Sequence, residues 1–454
     1  MKQLRISIGG VRGIIGEALT PDIACAFAGA FGTYLGGGRV LVSRDTRLSG
    51  PMVAHSVLAG LLGAGCEVVD LGVCPTAAMQ LAIRDTGASG GLAVTAGHND
   101  GRWNALKFIR DDGIFLNPRE AEELLDIYHQ GEFTKATWSQ LKPVRYDPDA
   151  AERHLSAIVA QVDRDAIASA RLRVAVDCVN GACTEYAPRL LELLGCVPLA
   201  INVETDAGFA HAPEPSQRNL GQLRALVQAS GAQVGFAHDA DGDRLAVVCE
   251  NGIVPGEEVT LCLVEEMVLS RGDAGPVVTN VCTTRAVDDI AERHGRRSIH
   301  TYVGQAYIAE AAVNHGAAVA GEGSGGVLLP GINYANDSIA AMAHILELLA
   351  KSGRRVSGLI AEVLPTYHIV KLAVPCPVDR AFGVLARVRE APPPSWAESR
   401  NLNDGVKYVG SDRWVHVRAS QTEPLVRVIA EACDVDVADG AARDMASLVR
   451  RSMT

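Results

Sequence analysis

One short string in this sequence has the residues expected of a metal site. Asp239-Ala240-Asp241-Gly242-Asp243-Arg244 places three carboxylates at alternate positions, between two apolar runs. Three carboxylates on a tight loop can bind a hard divalent cation and leave positions open for a phosphate oxygen. We therefore predict Mg²⁺ ligands at Asp239, Asp241 and Asp243, with Arg244 beside them to bind phosphate.

Two alternatives to a magnesium loop stay open. An EF-hand calcium loop shares the first three acidic positions, and Glu250 stands at its twelfth position. However, Arg244 occupies the position where that loop needs glycine, and strand-like runs flank the string instead of helices. The other alternative is an acidic loop with a purely structural role.

A second string, at 418–424, carries groups that can hold a phosphate dianion. It combines a guanidinium, two hydroxyls and exposed backbone N–H groups, and a further arginine follows it. Turns rich in serine and threonine are common, so this string alone is a weak signal. The predicted phosphate-binding residues are Arg418, Ser420, Gln421, Thr422 and Arg427.

Two further loops contain candidate groups. The glycine-dense turn Gly321–Gly326 carries Glu322, whose carboxylate could accept hydrogen bonds from sugar hydroxyls, although an ordinary tight turn explains the glycines equally well. The loop Thr95–Asp100 holds His98, and Lys107 follows on the next segment. Such a pair can act as general acid or base and as charge stabiliser. By itself, a histidine in a loop is more often structural.

Short β-branched runs alternate with helical stretches, and these elements must position the loops. This alternation predicts α/β layers with mostly parallel sheets. The first helix is predicted to be capped by Thr20, to begin at Pro21 and to end before Gly36. The three strand-and-helix copies are 39–43 with a helix after Pro51, 171–176 with a helix at 188–194, and 276–279 with a helix at 286–294.

Composition excludes several classes of function. The 42 Lys and Arg against 53 Asp and Glu leave a formal net charge of −11, whereas duplex binding needs a dense basic surface. No run approaches the ~18 apolar residues of a membrane helix, and the N-terminus does not read as a signal peptide. The 11 cysteines are scattered and form no CxxC pair, which is typical of reduced cysteines. We expect a cytoplasmic globular protein that binds neither nucleic acid nor membranes; its oligomeric state is not predicted.

In their order and spacing, the four loops resemble those of the α-D-phosphohexomutase superfamily, which includes phosphoglucomutase, phosphomannomutase and phosphoglucosamine mutase. Ser7–Gly13 resembles the N-terminal signature of that superfamily, and Ser43–Arg47 resembles the strand and loop that follow it. The resemblance implies three related α/β domains with mixed sheets and a smaller C-terminal α+β domain around a central cleft. The implied boundaries are 1–150 (domain I, nucleophile loop), 151–255 (domain II, metal loop), 256–368 (domain III, sugar-recognition loop) and 369–454 (domain IV, phosphate-binding loop).

The resemblance also implies an activity. Superfamily enzymes move a phosphate between C1 and C6 of a hexose phosphate, with Mg²⁺ as cofactor and a hexose 1,6-bisphosphate that turns over in the cleft. A phosphoserine donates its phosphoryl group and is then phosphorylated again. The expected partner is a small-molecule hexose phosphate. The residues carried over by resemblance are catalytic Arg12, His98 and Lys107, and substrate-binding Arg244, Gly304, Glu322 and Ser324.

Gly97 departs from the superfamily pattern. The nucleophile loop of the superfamily reads Thr-Ala-Ser-His-Asn-Pro, whereas this chain has Gly97 in place of the serine and Asp100 in place of the proline. Glycine has no hydroxyl and cannot carry a phosphoryl group. Three functions stay open: an inactivated or rerouted phosphohexomutase, a sugar-phosphate phosphatase in which water, Asp100 or His98 replaces the hydroxyl, and a non-catalytic protein that binds sugar phosphates. The retained carboxylates of the metal loop count against the last.

Overall fold

The computed structural model describes residues 4–7, 9–420 and 424–453. Its strands form four sheets, which come from four successive stretches of the chain. Within the described residues, no helix is long and apolar enough to cross a membrane. The 11 cysteines are free thiols, and most of them are buried.

A seven-stranded mixed sheet forms the first part of the described chain. The elements are β1 (Arg5–Ser7), β2 (Gly10–Ile14), α1 (Pro21–Tyr34), β3 (Arg39–Arg44), α2 (Gly50–Gly63), β4 (Glu67–Val73), α3 (Thr76–Thr86), β5 (Gly90–Val94), β6 (Trp103–Arg110), α4 (Pro118–Gln130) and β7 (Arg145–Tyr146). The strand order is β1-β2-β6-β5-β3-β4-β7. Strands β3, β4, β5 and β7 pair in parallel, whereas β1, β2 and β6 pair antiparallel. The loop after Val94 connects β5, the central strand of this sheet, to its antiparallel neighbour β6.

Helix α1 begins at the predicted residue, because Pro21 is already suited to the first turn. The predicted capping role of Thr20 is wrong in one respect: its side chain makes no capping hydrogen bond to the helix. The Thr20 hydroxyl bonds instead with the nearby Asp22 carboxylate. The hydroxyl therefore acts as a donor to a carboxylate of the first turn, whereas a capping role needs its oxygen to accept from a backbone N–H.

A four-stranded mixed sheet follows. Its elements are α5 (Ala150–Val159), α6 (Arg164–Ala170), β8 (Arg173–Asp177), α7 (Tyr186–Leu193), β9 (Val197–Ile201), α8 (Gly221–Ser230), β10 (Val234–His238) and β11 (Leu245–Cys249). The strand order is β11-β10-β8-β9. Only β10 and β11 pair antiparallel among these described strands, so the metal loop, 239–244, is the tight connection of a hairpin.

The third sheet has five strands and is also mixed. Its elements are α9 (Val259–Ser270), β12 (Val277–Asn280), α10 (Ala286–Arg293), β13 (Ser298–Thr301), α11 (Gln305–His315), β14 (Val319–Glu322), β15 (Gly326–Leu329), β16 (Asn333–Asn336), α12 (Ser338–Ser352) and α13 (Val356–Val363). The strand order is β13-β12-β14-β15-β16. The glycine-dense turn connects β14 to β15, which pair antiparallel.

The last sheet is antiparallel. Its elements are β17 (His368–Pro375), α14 (Val378–Glu390), β18 (Ser399–Asn401), β19 (Val406–Val409), β20 (Arg413–Ala419), β21 (Leu425–Ala432) and α15 (Val435–Arg451). The strand order is β17-β21-β20-β19-β18, and each neighbouring pair is antiparallel. Three mixed α/β units and one smaller α+β unit confirm the fold class that the resemblance implied. The prediction of mostly parallel sheets is wrong, because hairpins such as β5–β6, β10–β11 and β14–β15 add antiparallel pairs to each of the first three sheets.

The apolar core is divided unequally. One cluster of buried side chains runs through the first three units, from Leu41 to Val363. The fourth unit has a separate cluster of its own, from Val374 to Val449. Among described residues, polar contacts join it to the third unit: Lys407 Nζ donates to the Val281 carbonyl at 2.8 Å, and Arg285 donates to the Ser411 carbonyl at 3.0 Å.

Candidate active site

Loops from the first three units enclose a cavity of about 200 Å³. The loop between β5 and β6, the metal loop between β10 and β11, and the end of β14 all reach its wall. Among the predicted site residues, those that line the cavity are Arg12, His98, Lys107, Asp239, Asp243, Arg244, Gly304 and Glu322. The structure thus brings together residues that are up to 310 positions apart in the sequence.

Other predicted residues lie off this wall. Asp241 is buried behind it and is bonded to Lys107. The Ser324 hydroxyl donates to Glu322 Oε1 at 3.0 Å, so it supports a lining carboxylate from outside. Arg418, Ser420 and Arg427 do not line the cavity. Gln421 and Thr422 lie outside the described residues.

Arg418 is nevertheless connected to the cavity wall through Asp404. The Nε atom of Arg418 lies 3.1 Å from Asp404 Oδ2, and the same oxygen accepts a hydrogen bond from the Val303 N–H at 3.0 Å. Val303 lines the cavity. Sequence reasoning missed Asp404, because it stands in a polar turn about 100 positions from Val303 and no spacing pattern links the two.

Lys107 neutralises part of the acidic loop. Its Nζ donates to Asp241 Oδ2 and to Asp243 Oδ2, each at 2.7 Å. Burial raises the pKa of Asp241, but the Lys107 ammonium outweighs this and brings that pKa down to about 2. Burial lowers the pKa of Lys107, but the two carboxylates raise it above its ordinary value. Lys107 and Asp241 therefore form a charged, buried pair at neutral pH.

Neighbouring cations balance the negative charges of Asp239 and Asp243 less fully than that of Asp241. Burial and the Asp241 charge raise the pKa of Asp243 to about 7. Burial and the neighbouring carboxylates raise the pKa of Asp239 well above its ordinary value. Asp239 Oδ1 accepts hydrogen bonds from the backbone N–H groups of Asp243 and Arg244, at 2.9 and 3.1 Å. Backbone N–H groups of the loop therefore hold the Asp239 carboxylate in place, although the carboxylates of the loop repel one another.

Two further groups on the wall are the Arg12 guanidinium, which is cationic, and the His98 imidazole, which is neutral. Arg12 Nη1 donates to Asn99 Oδ1 at 3.1 Å, which fixes the guanidinium beside the loop that carries His98. The charge of Arg244, burial and the charge of Arg12 hold the pKa of His98 well below its ordinary value. His98 is therefore a neutral imidazole at neutral pH. It can accept a proton, but it adds no positive charge to the cavity wall.

Arg47 is a positioning residue that sequence reasoning did not select. Its side chain is fully buried and its Nε donates to Asp45 Oδ2 at 2.7 Å. Its guanidinium nitrogens also donate to the backbone carbonyls of Gly97, Asn99, Asp100 and Trp103. One side chain thereby fixes the backbone of the whole loop. The sequence does contain a signal for Arg47. The Arg-Asp-Thr-Arg string at the end of β3 places Arg47 two positions after Asp45.

The metal loop has the donor set of a site for a hard divalent cation. Asp241 Oδ1 and Asp243 Oδ1 are buried and have no hydrogen-bond partner among the described residues, and an unpaired buried carboxylate oxygen is costly. Within the described part of the chain, no group of three or more His, Cys, Asp or Glu side chains is arranged to hold a metal ion. Lys107 holds the other oxygens of Asp241 and Asp243 instead. The donor chemistry fits Mg²⁺.

The fold and this site define a class of enzyme. Four profiles of one family match successive stretches of the chain and together cover most of it. The profiles described as "Phosphoglucomutase/phosphomannomutase, alpha/beta/alpha domain" I, II and III match residues 6–135, 152–252 and 255–367. The "Phosphoglucomutase/phosphomannomutase, C-terminal domain" profile matches residues 375–448. The class is that of the phosphohexomutases.

Individual relatives agree with that class. A phosphoglucomutase/phosphomannomutase of Thermococcus kodakarensis is 37% identical over 93% of each chain, and a probable phosphoglucosamine mutase of Methanopyrus kandleri is 34% identical over 97% of each. The crystal structure of a putative phosphomannomutase from Thermus thermophilus is 26% identical, with a TM-score of 0.85, and the match covers 98% of this chain and 99% of that one. The chain belongs to the phosphoglucomutase/phosphomannomutase family, in the α-D-phosphohexomutase superfamily.

Proposed function

We propose that this chain binds a hexose phosphate in the 200 Å³ cavity and, with Mg²⁺, catalyses phosphoryl transfer between the C1 and C6 oxygens. One observation carries the proposal: a single cavity wall combines three cationic side chains, the carboxylates of the metal loop and Glu322. Cations and a metal loop suit a phosphate, and a carboxylate suits sugar hydroxyls. The names of the relatives support hexose phosphates as the substrate class.

The cations would bind the phosphate and offset the charge on its transferring oxygens. Arg12, Lys107 and Arg244 line the cavity together. Gly304 lines the same cavity at the N-cap of α11, and the N–H groups at a helix N-terminus favour an anion. Phosphoryl transfer depends mostly on positioning and charge stabilisation, which is what this arrangement supplies.

Mg²⁺ would be held by Asp239, Asp241 and Asp243. The two unpartnered Oδ1 atoms of Asp241 and Asp243 support this assignment. When bound, the ion would polarise a phosphoryl oxygen and neutralise charge. Residue Lys107 then keeps a role beside the ion, because its ammonium contacts the other oxygens of the same two carboxylates.

Glu322 would bind the sugar hydroxyls. Its Oε1 accepts from Ser324 at 3.0 Å, and its Oε2 accepts from Asn280 Nδ2 at 3.2 Å. Two donors hold the carboxylate in place, and its remaining lone pairs stay available for a ligand. The Arg418 loop would bind the second phosphate of a hexose bisphosphate, and Asp404 links it to the wall of this cavity.

Gly97 limits the rate of this reaction, because the chain has no hydroxyl at that position to carry the phosphoryl group. We expect Gly97→Ser to isomerise hexose phosphates much faster than the native chain, which lacks the hydroxyl. The measurement is isomerisation of glucose-, mannose- and glucosamine-phosphates with Mg²⁺ and a hexose 1,6-bisphosphate. Gly97→Ala is the matched control, since it adds a side chain without a hydroxyl. Absence of isomerisation from both the native chain and Gly97→Ser, on every substrate, would contradict the proposal.

A further inference from the structure

Gly97 borders the cavity and leaves free the space beside the metal loop that a side chain would occupy. Chain neighbours apart, the nearest heavy atoms to a Cβ placed on Gly97 are carboxylate oxygens. Asp241 Oδ1 is 3.5 Å away, Asp241 Oδ2 is 3.6 Å away and Asp239 Oδ2 is 3.9 Å away. These are ordinary van der Waals separations, so no other described side chain has moved into this position. The space is bordered by hydrogen-bond acceptors, and one of them, Asp241 Oδ1, is buried without a partner.

The described side chains around this space offer no replacement for a serine hydroxyl. The residues that line the cavity include no serine, threonine or cysteine among those described. The Thr95 hydroxyl is engaged, because it donates to Asp45 Oδ2 at 2.6 Å and accepts from the Gly97 N–H at 3.0 Å. Asp100 is held by Arg102 outside the cavity, with Oδ2 at 2.7 Å from Nη2.

Water fits this space by size and by chemistry. An ordered water needs room and polar partners; Gly97 lines the cavity of about 200 Å³, and the nearest polar groups at that position are carboxylate oxygens of the metal loop. We propose that a water molecule takes the place of the missing hydroxyl and accepts the phosphoryl group, so that the chain hydrolyses a hexose 1,6-bisphosphate to a hexose monophosphate and inorganic phosphate. This inference rests on the proposed function, because it uses the same cavity and the same class of substrate.

The reaction balances without a further co-reactant. The water oxygen forms a bond to phosphorus as the bond from phosphorus to the sugar oxygen breaks. One proton of the water ends on the sugar hydroxyl, and the other stays on hydrogen phosphate. Arg12, Lys107 and Arg244 lie on the wall to offset the charge of the transferring oxygens. His98 lies on the same wall, where it can relay the proton.

The test is phosphate release from glucose and mannose 1,6-bisphosphate with Mg²⁺, in water labelled with heavy oxygen. We expect one labelled oxygen in each phosphate released and no stable phosphoenzyme. Gly97→Ala puts a methyl group in the space of the water, and we expect release to fall about 100-fold. For Gly97→Ser we expect a phosphoryl group on the new serine, visible as a mass increase of the intact protein, and isomerisation in place of hydrolysis.

Backbone strain needs a separate control, because Gly97 has a left-handed φ of +55°. Gly231→Ala provides it: Gly231 has a φ of +65°, is exposed at the end of α8 and has no heavy atom within 4 Å of an added Cβ. The two alanine variants carry the same backbone cost. We expect Gly231→Ala to show a similar shift in melting temperature and an unchanged rate of phosphate release.

The outcomes separate this inference from the proposed function. Release at the native rate from Gly97→Ala, unlabelled phosphate, or a phosphohistidine at His98 would each overturn it. Calorimetry with glucose and mannose 1,6-bisphosphate provides the second measurement. Binding of a bisphosphate without release, together with isomerisation by Gly97→Ser, overturns this inference and leaves the proposed function standing. Absence of binding by every variant contradicts the proposed function itself.

Discussion

At the scale of single residues, buried cations organise the site. Lys107 joins two carboxylates of the metal loop, and Arg47 joins Asp45 to four backbone carbonyls of the neighbouring loop. Removing a buried cation leaves its carboxylate partner unpaired, which costs far more than losing a solvent-exposed pair. The geometry around Gly97 therefore depends on a side chain that does not line the cavity.

Arg47→Ala is expected to lower the free energy of unfolding by about 3–5 kcal/mol, because the Asp45 carboxylate stays buried without its cationic partner. Arg119→Ala removes an exposed arginine paired with Glu123, and we expect it to cost less than about 1 kcal/mol. Urea unfolding of the three proteins measures both values. Equal losses in the two variants would show that Arg47 does not hold a buried charge.

At the scale of elements, one helix cap ties two units together. Asp337 accepts hydrogen bonds from the N–H groups of Ile339 and Ala340 at the start of α12. Its other oxygen lies 2.6 Å from His154 Nε2 on α5. Burial raises the pKa of Asp337, but His154 and the N–H groups of the helix outweigh this and lower it below its ordinary value.

This lowered pKa makes a pH-dependent contribution to stability. The contribution is complete above the unfolded pKa of about 4 and is lost as the pH falls through the lower pKa of the folded state. Asp337→Ala is expected to cost about 3 kcal/mol at pH 7, and the difference from the native chain is expected to shrink below about pH 4. Urea unfolding at a series of pH values measures it.

Asp434 provides the matched control for this prediction. It caps α15 with the same pair of bonds, to the N–H groups of Asp436 and Val437, but it is exposed, and within the described chain these bonds involve no imidazole. We expect Asp434→Ala to cost about 1 kcal/mol. A cost at pH 7 as large as that of Asp337→Ala would assign the whole effect to capping and contradict the role of His154.

At the scale of the whole molecule, one apolar cluster runs through the first three units, which also contain further clusters, and the fourth unit has a separate cluster. The fourth unit need not unfold together with the others, because its apolar cluster is separate from theirs. Contacts such as that of Asp404 with Val303 are the means by which the fourth unit reaches the cavity.

Two methionines test this division. Met445 on α15 is buried in the core of the fourth unit, and Met342 on α12 is buried in the shared core. Each substitution to alanine is expected to cost about 2–5 kcal/mol in its own core. In differential scanning calorimetry, we expect Met445→Ala to move the transition of the fourth unit and Met342→Ala to move the other transition. A single transition that shifts equally in both variants would show that the four units unfold as one.

Much of the fold follows from local patterns. The alternation of strands and helices predicted the α/β units, and the strand before the metal loop ends at His238, one residue before the first carboxylate. Pro21 marked the start of α1, because its fixed φ suits a first helical turn. The prediction for the Thr20 cap was wrong, because the capping pattern does not show that this hydroxyl donates to the carboxylate two residues away.

The sequence by itself determined the chemistry available: the three carboxylates, the cations of the loops, and the glycine where the superfamily carries serine. The tertiary structure decided which of these groups meet. Asp241 lies against Gly97, Arg47 holds the loop in place, and Asp404 joins the fourth unit to the cavity wall. The physical reason is distance along the chain: residue types and short spacings are local, whereas contacts across 50 or more positions exist only once the sheets have packed.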